Sequence, residues 1–118
     1  MIKNNMYAQA KKTLENLISK AYRCAVEKDE LINAELAYPA AEVPRDSGYG
    51  DLSSAFALSA AKALRTPPRK IAEIIVSNME NNEMFSSYSV AGPGFINAFF
   101  GQKWYRFVLE TVETMAGN

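Results

Sequence analysis

Apolar residues recur at every third or fourth position through the first quarter of the chain, with charged residues between them. This period is that of an amphipathic helix. It predicts a helix over residues 3–28 whose polar face is solvated. The apolar stripe consists of Ile2, Met6, Ala10, Leu14, Leu17, Ile18, Ala21 and Ala25.

An extended segment is predicted near residues 34–44, and it contains Pro39 and Pro44. Because proline cannot donate a hydrogen bond to a neighbouring strand, the pattern favours an edge strand. The string "RDSGYG" that follows is typical of a turn.

Two helices are predicted next. The first covers "DLSSAFALSAAKAL" (51–64), with Asp51 or Ser53 as its N-terminal cap. The second begins at "RTPPRK", where Thr66 suits the cap and Pro67 suits the first helical position. Its apolar stripe is Ile71, Ile74, Ile75 and Met79.

The last third of the chain predicts two strands and a helix. The strands are "MFSSYSV" (84–90), which alternates weakly, and "GFINAFF" (94–100). "QKWYRFVLETVETM" (102–115) predicts a closing helix, with Trp104 or Tyr105, Val108, Val112 and Met115 inward. The order α-β-α-α-β-β-α, in one domain over 1–118, indicates an α+β fold: a small, mainly antiparallel sheet packed against about four helices.

Composition excludes several kinds of chemistry. The chain has no histidine, which removes histidine-based acid–base catalysis and nearly all zinc sites. Cys24 is the single cysteine, which fits a reducing cytosol, and it is expected to serve as a small apolar residue of its helix. Lys plus Arg and Asp plus Glu number 13 each, so no net positive charge points to tight phosphate binding. Neither a metal site nor catalysis by this chain alone is expected.

The string "VAGPGFINAFF" carries the candidate binding site. Gly92, Pro93 and Gly94 predict a kink or bulge that re-aims the strand. Phe95 and Asn97 then share one face, because side chains alternate along a strand. An aromatic ring beside an amide can stack on one unpaired base and hydrogen-bond its edge. A core aromatic and a structural amide are the simpler interpretation of these two residues alone.

Basic residues near these elements form a candidate rim for phosphate contacts: Arg45, Lys103 and Arg106. Scattered, solvated charges are the alternative interpretation. A small-molecule-binding or catalytic α+β protein is a third hypothesis, which the missing histidines and the lack of a phosphate-binding loop disfavour.

Three strings resemble, in order and spacing, the N-terminal additional domain of bacterial-type arginyl-tRNA synthetases: "YGDLSSAFALSAAKAL", "PPRKIAEIIVSNM" and "VAGPGFINAFF". The last contains the family's Ala-Gly-Pro-Gly-Phe-Ile-Asn motif, and the likeness covers essentially the whole chain. Two positions depart from the family pattern. Ala55 stands where the family usually has Asn, and Leu52 replaces the commoner Tyr.

The resemblance implies a cytoplasmic module that contacts the D-loop, at the outer corner of an arginine-accepting tRNA. Phe95 would stack on one exposed base, Asn97 would hydrogen-bond its edge, and Gly92, Pro93 and Gly94 would shape the approach. Neither DNA nor a membrane is an expected partner. The alternative is a structural or protein-interaction domain that makes no direct RNA contact.

The resemblance also implies a longer parent enzyme, of which these residues are an excised piece. There a class I catalytic domain, using ATP and Mg²⁺, would attach arginine to tRNA, and an anticodon-binding domain would also be present. This piece is expected to hold no cofactor and neither to bind ATP nor to activate arginine.

Overall fold

The computed structural model describes residues 2–106 and 108–109. In chain order, the elements are α1 (Ile2–Glu27), β1 (Ala41–Glu42), β2 (Leu52–Ser54), α2 (Phe56–Leu64), α3 (Pro68–Asn78), β3 (Phe85–Ala91) and β4 (Phe95–Phe100). A short 3₁₀ turn, Ser47–Tyr49, precedes β2. Residues 102–106 and 108–109 are helical and form α4.

The strands form one antiparallel sheet in the order β1-β2-β4-β3. β1 lies at an edge, as the two prolines predicted. β4 lies inside the sheet, so Asn97 has Ser53 opposite it on one side and Ser89 on the other. The α+β class and the predicted element order are confirmed, with β2 as an additional short strand.

The apolar stripe of α1 is buried from Met6 to Ala25, and β4 adds Ile96, Ala98 and Phe100 to the same core. At the far end of β4, the ring of Trp104 stacks on Phe100 with centroids 3.8 Å apart and planes 12° from parallel. Trp104 rather than Tyr105 is therefore inward, since Tyr105 is exposed, and Val108 packs half-buried against the core. The predicted inward residues Val112 and Met115 lie outside the described residues. No helix within the described ranges is long and apolar enough to cross a membrane.

The second helix begins later than predicted, because residues 52–54 pair with β4. Asp51 and Ser53 are consequently not helix caps. The Asp51 Oδ2 atom accepts a hydrogen bond of 2.8 Å from the Phe100 amide, and the Ser53 hydroxyl donates to Asn97. Asp51 and Ser53 resemble helix caps in sequence, yet their side chains hydrogen-bond to residues of β4.

The third helix begins at Pro68, with Pro67 at the capping position. Thr66 is not the cap: its hydroxyl donates to the Leu64 carbonyl at 2.9 Å. The amide hydrogens of the first helical turn have no partner within the helix. Because Pro68 has no amide hydrogen, α3 begins with one unpaired donor fewer.

The Gly-Pro-Gly string is a hairpin turn rather than a kink or bulge within a strand. Ala91 pairs with Phe95, and the three residues between them connect β3 to β4. Gly92 has φ +56° and Gly94 has φ +142°, values that favour glycine. The expectation of a kink was wrong because the flanks are two antiparallel strands, between which the chain reverses direction.

Candidate nucleic-acid interface

Asn97 is fully buried, with 0% of its surface exposed. Its Oδ1 accepts a 2.9 Å hydrogen bond from the Ser53 hydroxyl. Its Nδ2 has no hydrogen-bond partner among the described residues. A buried donor left unpaired costs about 1–3 kcal/mol. The amide thus has an acceptor that is satisfied inside the fold and a donor that is not.

Phe95 lies two residues before Asn97 on the same strand and is half-buried. Its ring contacts Tyr49, with centroids 5.3 Å apart and planes tilted by 49°. The turn before β2 also covers Asn97, since a Cβ on Gly50 would come within 3.5 Å of the Asn97 Cβ. The predicted pair shares a face, but only Phe95 is accessible from outside.

An open cavity of about 600 Å³ lies beside this pair. Phe95, Tyr49 and Ser53 line it. The segment 37–46, called the strap below, and the start of α2 also line it. This volume is within the range of sites that enclose a small organic molecule. Ser53 both lines the cavity and bonds Asn97, so it connects the buried amide to the open space.

The strap is tied to α1 by one carboxylate. The Tyr38 hydroxyl donates to Glu15 Oε1 at 2.8 Å, and the Ala41 amide donates to Glu15 Oε2 at 2.8 Å. The hydrogen bond to Glu15, some desolvation and the negative charge of Glu15 all raise the pKa of Tyr38 above its usual 10.0. Tyr38 nevertheless remains 63% exposed. Its hydroxyl is fixed while its ring stays accessible.

The hairpin turn is held against the start of α3. Arg69 Nη1 donates to the Gly92 carbonyl at 2.9 Å. A Cβ on Gly94 would lie 2.8 Å from the Pro68 carbonyl carbon, so the two backbones are in direct contact. Because Phe95 follows this turn directly, the start of α3 sets where the ring lies.

The three basic residues of the predicted rim do not come together. Arg45 lines the cavity on the strap. Lys103 and Arg106 belong to α4, which follows the opposite end of β4. At about 3.3 Å per residue, β4 separates its two ends by roughly 17 Å. Arg45 is thus the member of the set that lies beside Phe95.

Sequence reasoning missed Glu15, Tyr38 and Tyr49 as parts of this site. Glu15 has the appearance of one more solvated charge on a helix, and its two partners are over twenty residues away. The available signal was the pair of prolines in the strap, one of which directly follows Tyr38. Within the described part of the chain, no group of three or more Cys, Asp or Glu side chains could hold a metal ion.

Ala55, the departure from the family pattern, occupies the N-cap position of α2 and lines the cavity. No side chain caps this helix end from that position. Instead, the Phe56 amide donates to the Ser54 hydroxyl at 3.2 Å.

Comparison with known proteins places these features in a family. The family described as "Arginyl tRNA synthetase N terminal domain" matches residues 8–100. The arginine–tRNA ligase of Acetivibrio thermocellus is 34% identical over 115 residues, which are 97% of this chain and 20% of that protein. The arginine–tRNA ligase of Caldanaerobacter subterraneus is 38% identical over 111 residues, or 92% of this chain and 19% of that protein. The chain therefore spans about a fifth of the length of the curated relatives it matches.

Two solved structures share the fold. The arginyl-tRNA synthetase of Plasmodium falciparum aligns with a TM-score of 0.62 at 16% identity, covering 80% of this chain and 16% of that one. The arginyl-tRNA synthetase of Thermus thermophilus aligns with a TM-score of 0.59 at 20% identity, covering 76% of this chain and 14% of that one.

Proposed function

The chain belongs to the family of arginyl-tRNA synthetase N-terminal domains, and from this premise we propose that it is a tRNA-recognition module. Its ligand is the D-loop corner of an arginine-accepting tRNA, and one unstacked base of that loop enters the cavity beside Phe95. The parent enzyme carries a class I catalytic domain that uses ATP and Mg²⁺, and it acts in the cytoplasm.

The observation that carries the proposal is the unpartnered Nδ2 of Asn97. Buried polar atoms are almost always hydrogen-bonded, so an exception calls for an explanation. A base edge, which offers both donors and acceptors, would complete the hydrogen bonding of this amide. Phe95 supplies the ring on which the base stacks, at the wall of the same cavity.

The buried amide also specifies how the base must reach it. Tyr49, Ser53 and Phe95 all line the cavity, and Ser53 is the residue that bonds Asn97. A base in the cavity therefore reaches the Asn97 amide only if the side chains of Tyr49, Ser53 or Phe95 move aside.

The test is Asn97→Ala in the full-length enzyme. A good contact between an amide and a base edge is worth about 1–3 kcal/mol, so the KM for arginine tRNA should rise roughly five- to a hundredfold. ATP-dependent activation of arginine, measured by pyrophosphate exchange, should not change. Ser89→Ala, at the position paired with Asn97 on β3, is the matched control and should leave both quantities unchanged.

The burial of Asn97 favours a second candidate function, a structural or protein-docking domain. In that case its amide serves only to join β4 to β2 through Ser53. Asn97→Ala would then lower the free energy of unfolding while the KM for tRNA stayed constant. Discrimination between loop bases separates the candidates further, because a structural amide has no influence on which base is preferred.

A further inference from the structure

We propose that Tyr38 is a second base-stacking platform, which takes the nucleotide adjacent to the one whose base lies against Phe95. This inference rests on the proposed function. It adds a residue of the strap to the recognition surface and extends the ligand from one base to two consecutive nucleotides.

The cavity is larger than one base needs. Its volume of about 600 Å³ is suited to a ligand considerably larger than one base. The hairpin contributes Phe95, the turn before β2 contributes Tyr49, and the strap contributes Tyr38. Aromatic rings from three separate segments therefore line a space that has room for more than a single ring.

Tyr38 has a fixed hydroxyl and an accessible ring. An exposed tyrosine ordinarily rotates freely, but here Glu15 holds the hydroxyl at 2.8 Å. The ring stays 63% exposed. Fixing an accessible ring before a ligand arrives lowers the entropy cost of stacking on it. Stacking on an aromatic side chain strengthens the binding of each base substantially and is tolerant of base identity.

The cavity also has a positive charge in its lining, that of Arg45. Consecutive nucleotides are joined by a phosphate, and Arg45 lies on the same strap, at the same cavity. A guanidinium suits a phosphate oxygen well. Two aromatic rings and a cation at one cavity supply the groups that base, phosphate and base along a single strand would contact.

The experiment titrates the ¹⁵N-labelled 118-residue chain with an RNA hairpin that carries the D-loop of an arginine tRNA, at low ionic strength. Kd is taken from amide chemical shifts. Each loop base is replaced in turn by an abasic site, and the series is repeated with Tyr38→Ala. We expect Tyr38→Ala to raise Kd at least about fivefold on the intact loop. On the RNA that lacks the base adjacent to the one lying against Phe95, Tyr38→Ala should change Kd less than twofold.

Two further variants act as controls. Tyr38→Phe keeps the ring and loses the bond to Glu15, so it should retain most of the affinity. Tyr105→Ala removes another exposed tyrosine, on α4, and should have no effect. If Tyr38→Ala weakens every abasic RNA by the same factor, or weakens none, the second platform is wrong.

The outcome for the proposed function is separate. Asn97→Ala should abolish the preference among bases at the cavity position. If that preference persists or never existed, or if the hairpin does not bind, the proposed function is wrong and the second platform falls with it. If Asn97 behaves as expected while Tyr38 shows no coupling to a neighbouring base, only the second platform is rejected.

Discussion

Asn97 is a buried side chain whose hydrogen bonding is only half satisfied inside the fold. Its acceptor is used by Ser53, on the neighbouring strand. Its donor is buried and unpaired among the described residues, at a cost of about 1–3 kcal/mol to the folded protein. A ligand that accepts from this donor recovers that free energy, so the unpaired atom favours binding over the free state.

Gly94 is the residue on which the hairpin depends most directly. We predict that Gly94→Ala lowers the free energy of unfolding by more than about 2 kcal/mol, because a Cβ meets Pro68 backbone atoms at φ +142°. Gly48→Ala is the matched control. Its Cβ would approach an Asp46 side-chain oxygen at 3.2 Å, and that side chain can move. Chemical denaturation of both variants measures the difference, and equal losses would contradict the account of the turn.

Tyr38 gives a pH dependence whose sign follows from its raised pKa. The folded state holds the phenol proton more tightly than the unfolded state does. The contribution of Tyr38 to stability is therefore complete below its ordinary pKa of 10.0, and it is lost as pH rises through the higher folded value.

An alkaline titration followed by tyrosinate absorbance should show a late-ionising phenol that disappears in Tyr38→Phe. Tyr88, whose pKa is raised by burial, should remain as a second late group in that variant. An unchanged titration curve in Tyr38→Phe would mean that the bond to Glu15 does not form in solution.

At the scale of elements, α1 supports the core with one face and the strap with another. Its apolar stripe is buried from Met6 to Ala25, while Glu15 accepts two hydrogen bonds from residues of the strap. The strap has little regular structure of its own, since β1 consists of two residues. Its position is therefore determined largely by a contact with a distant helix.

We predict that Glu15→Ala lowers the free energy of unfolding by about 1–2 kcal/mol, because the part-buried Ala41 amide loses its partner. Glu27→Ala removes an exposed glutamate of the same helix and should change the free energy of unfolding by less than about 0.5 kcal/mol. Thermal or chemical denaturation compares the two. Amide hydrogen exchange at Ala41 should accelerate in Glu15→Ala alone.

The long helices were predictable from sequence because their apolar periods extend over many residues. β2 was not, since three residues are too few to show a period, and their polar side chains resemble a helix cap. The Gly-Pro-Gly turn was found as an interruption, although its geometry depends on contact with Pro68. For the site, local alternation correctly placed Phe95 and Asn97 on one face. The pairing of Glu15 with Tyr38 spans 23 residues, and no local pattern reveals it.

At the scale of the whole molecule, the number and distribution of basic residues bear on how tightly the chain can bind a nucleic acid. Acidic and basic residues are equal in number, and Lys103 and Arg106 lie far from the cavity that Arg45 lines. The described fold is elongated, with extents of 55 × 27 × 21 Å. The basic residues of the predicted rim therefore do not form one continuous surface around the cavity.

We predict that this chain alone binds arginine tRNA weakly near physiological salt, with a Kd above the micromolar range. Few phosphates can be neutralised, so the dependence of log Kd on log salt should also be shallow. A fluorescence or filter-binding titration at several salt concentrations measures both quantities. A micromolar or tighter Kd would show that phosphate contacts matter more than the charge distribution indicates.

The contact between Gly94 and Pro68 orders the hairpin before any ligand binds, and this affects the entropy of binding. Ordering a backbone residue costs about 1–2 kcal/mol. On the hairpin side of the cavity, that cost is met when the protein folds. The strap is likewise ordered before a ligand arrives, because Glu15 accepts hydrogen bonds from Tyr38 and Ala41. Replacing Glu15 should therefore make the entropy of binding less favourable, whereas substitutions in the hairpin that leave its turn intact should change it little.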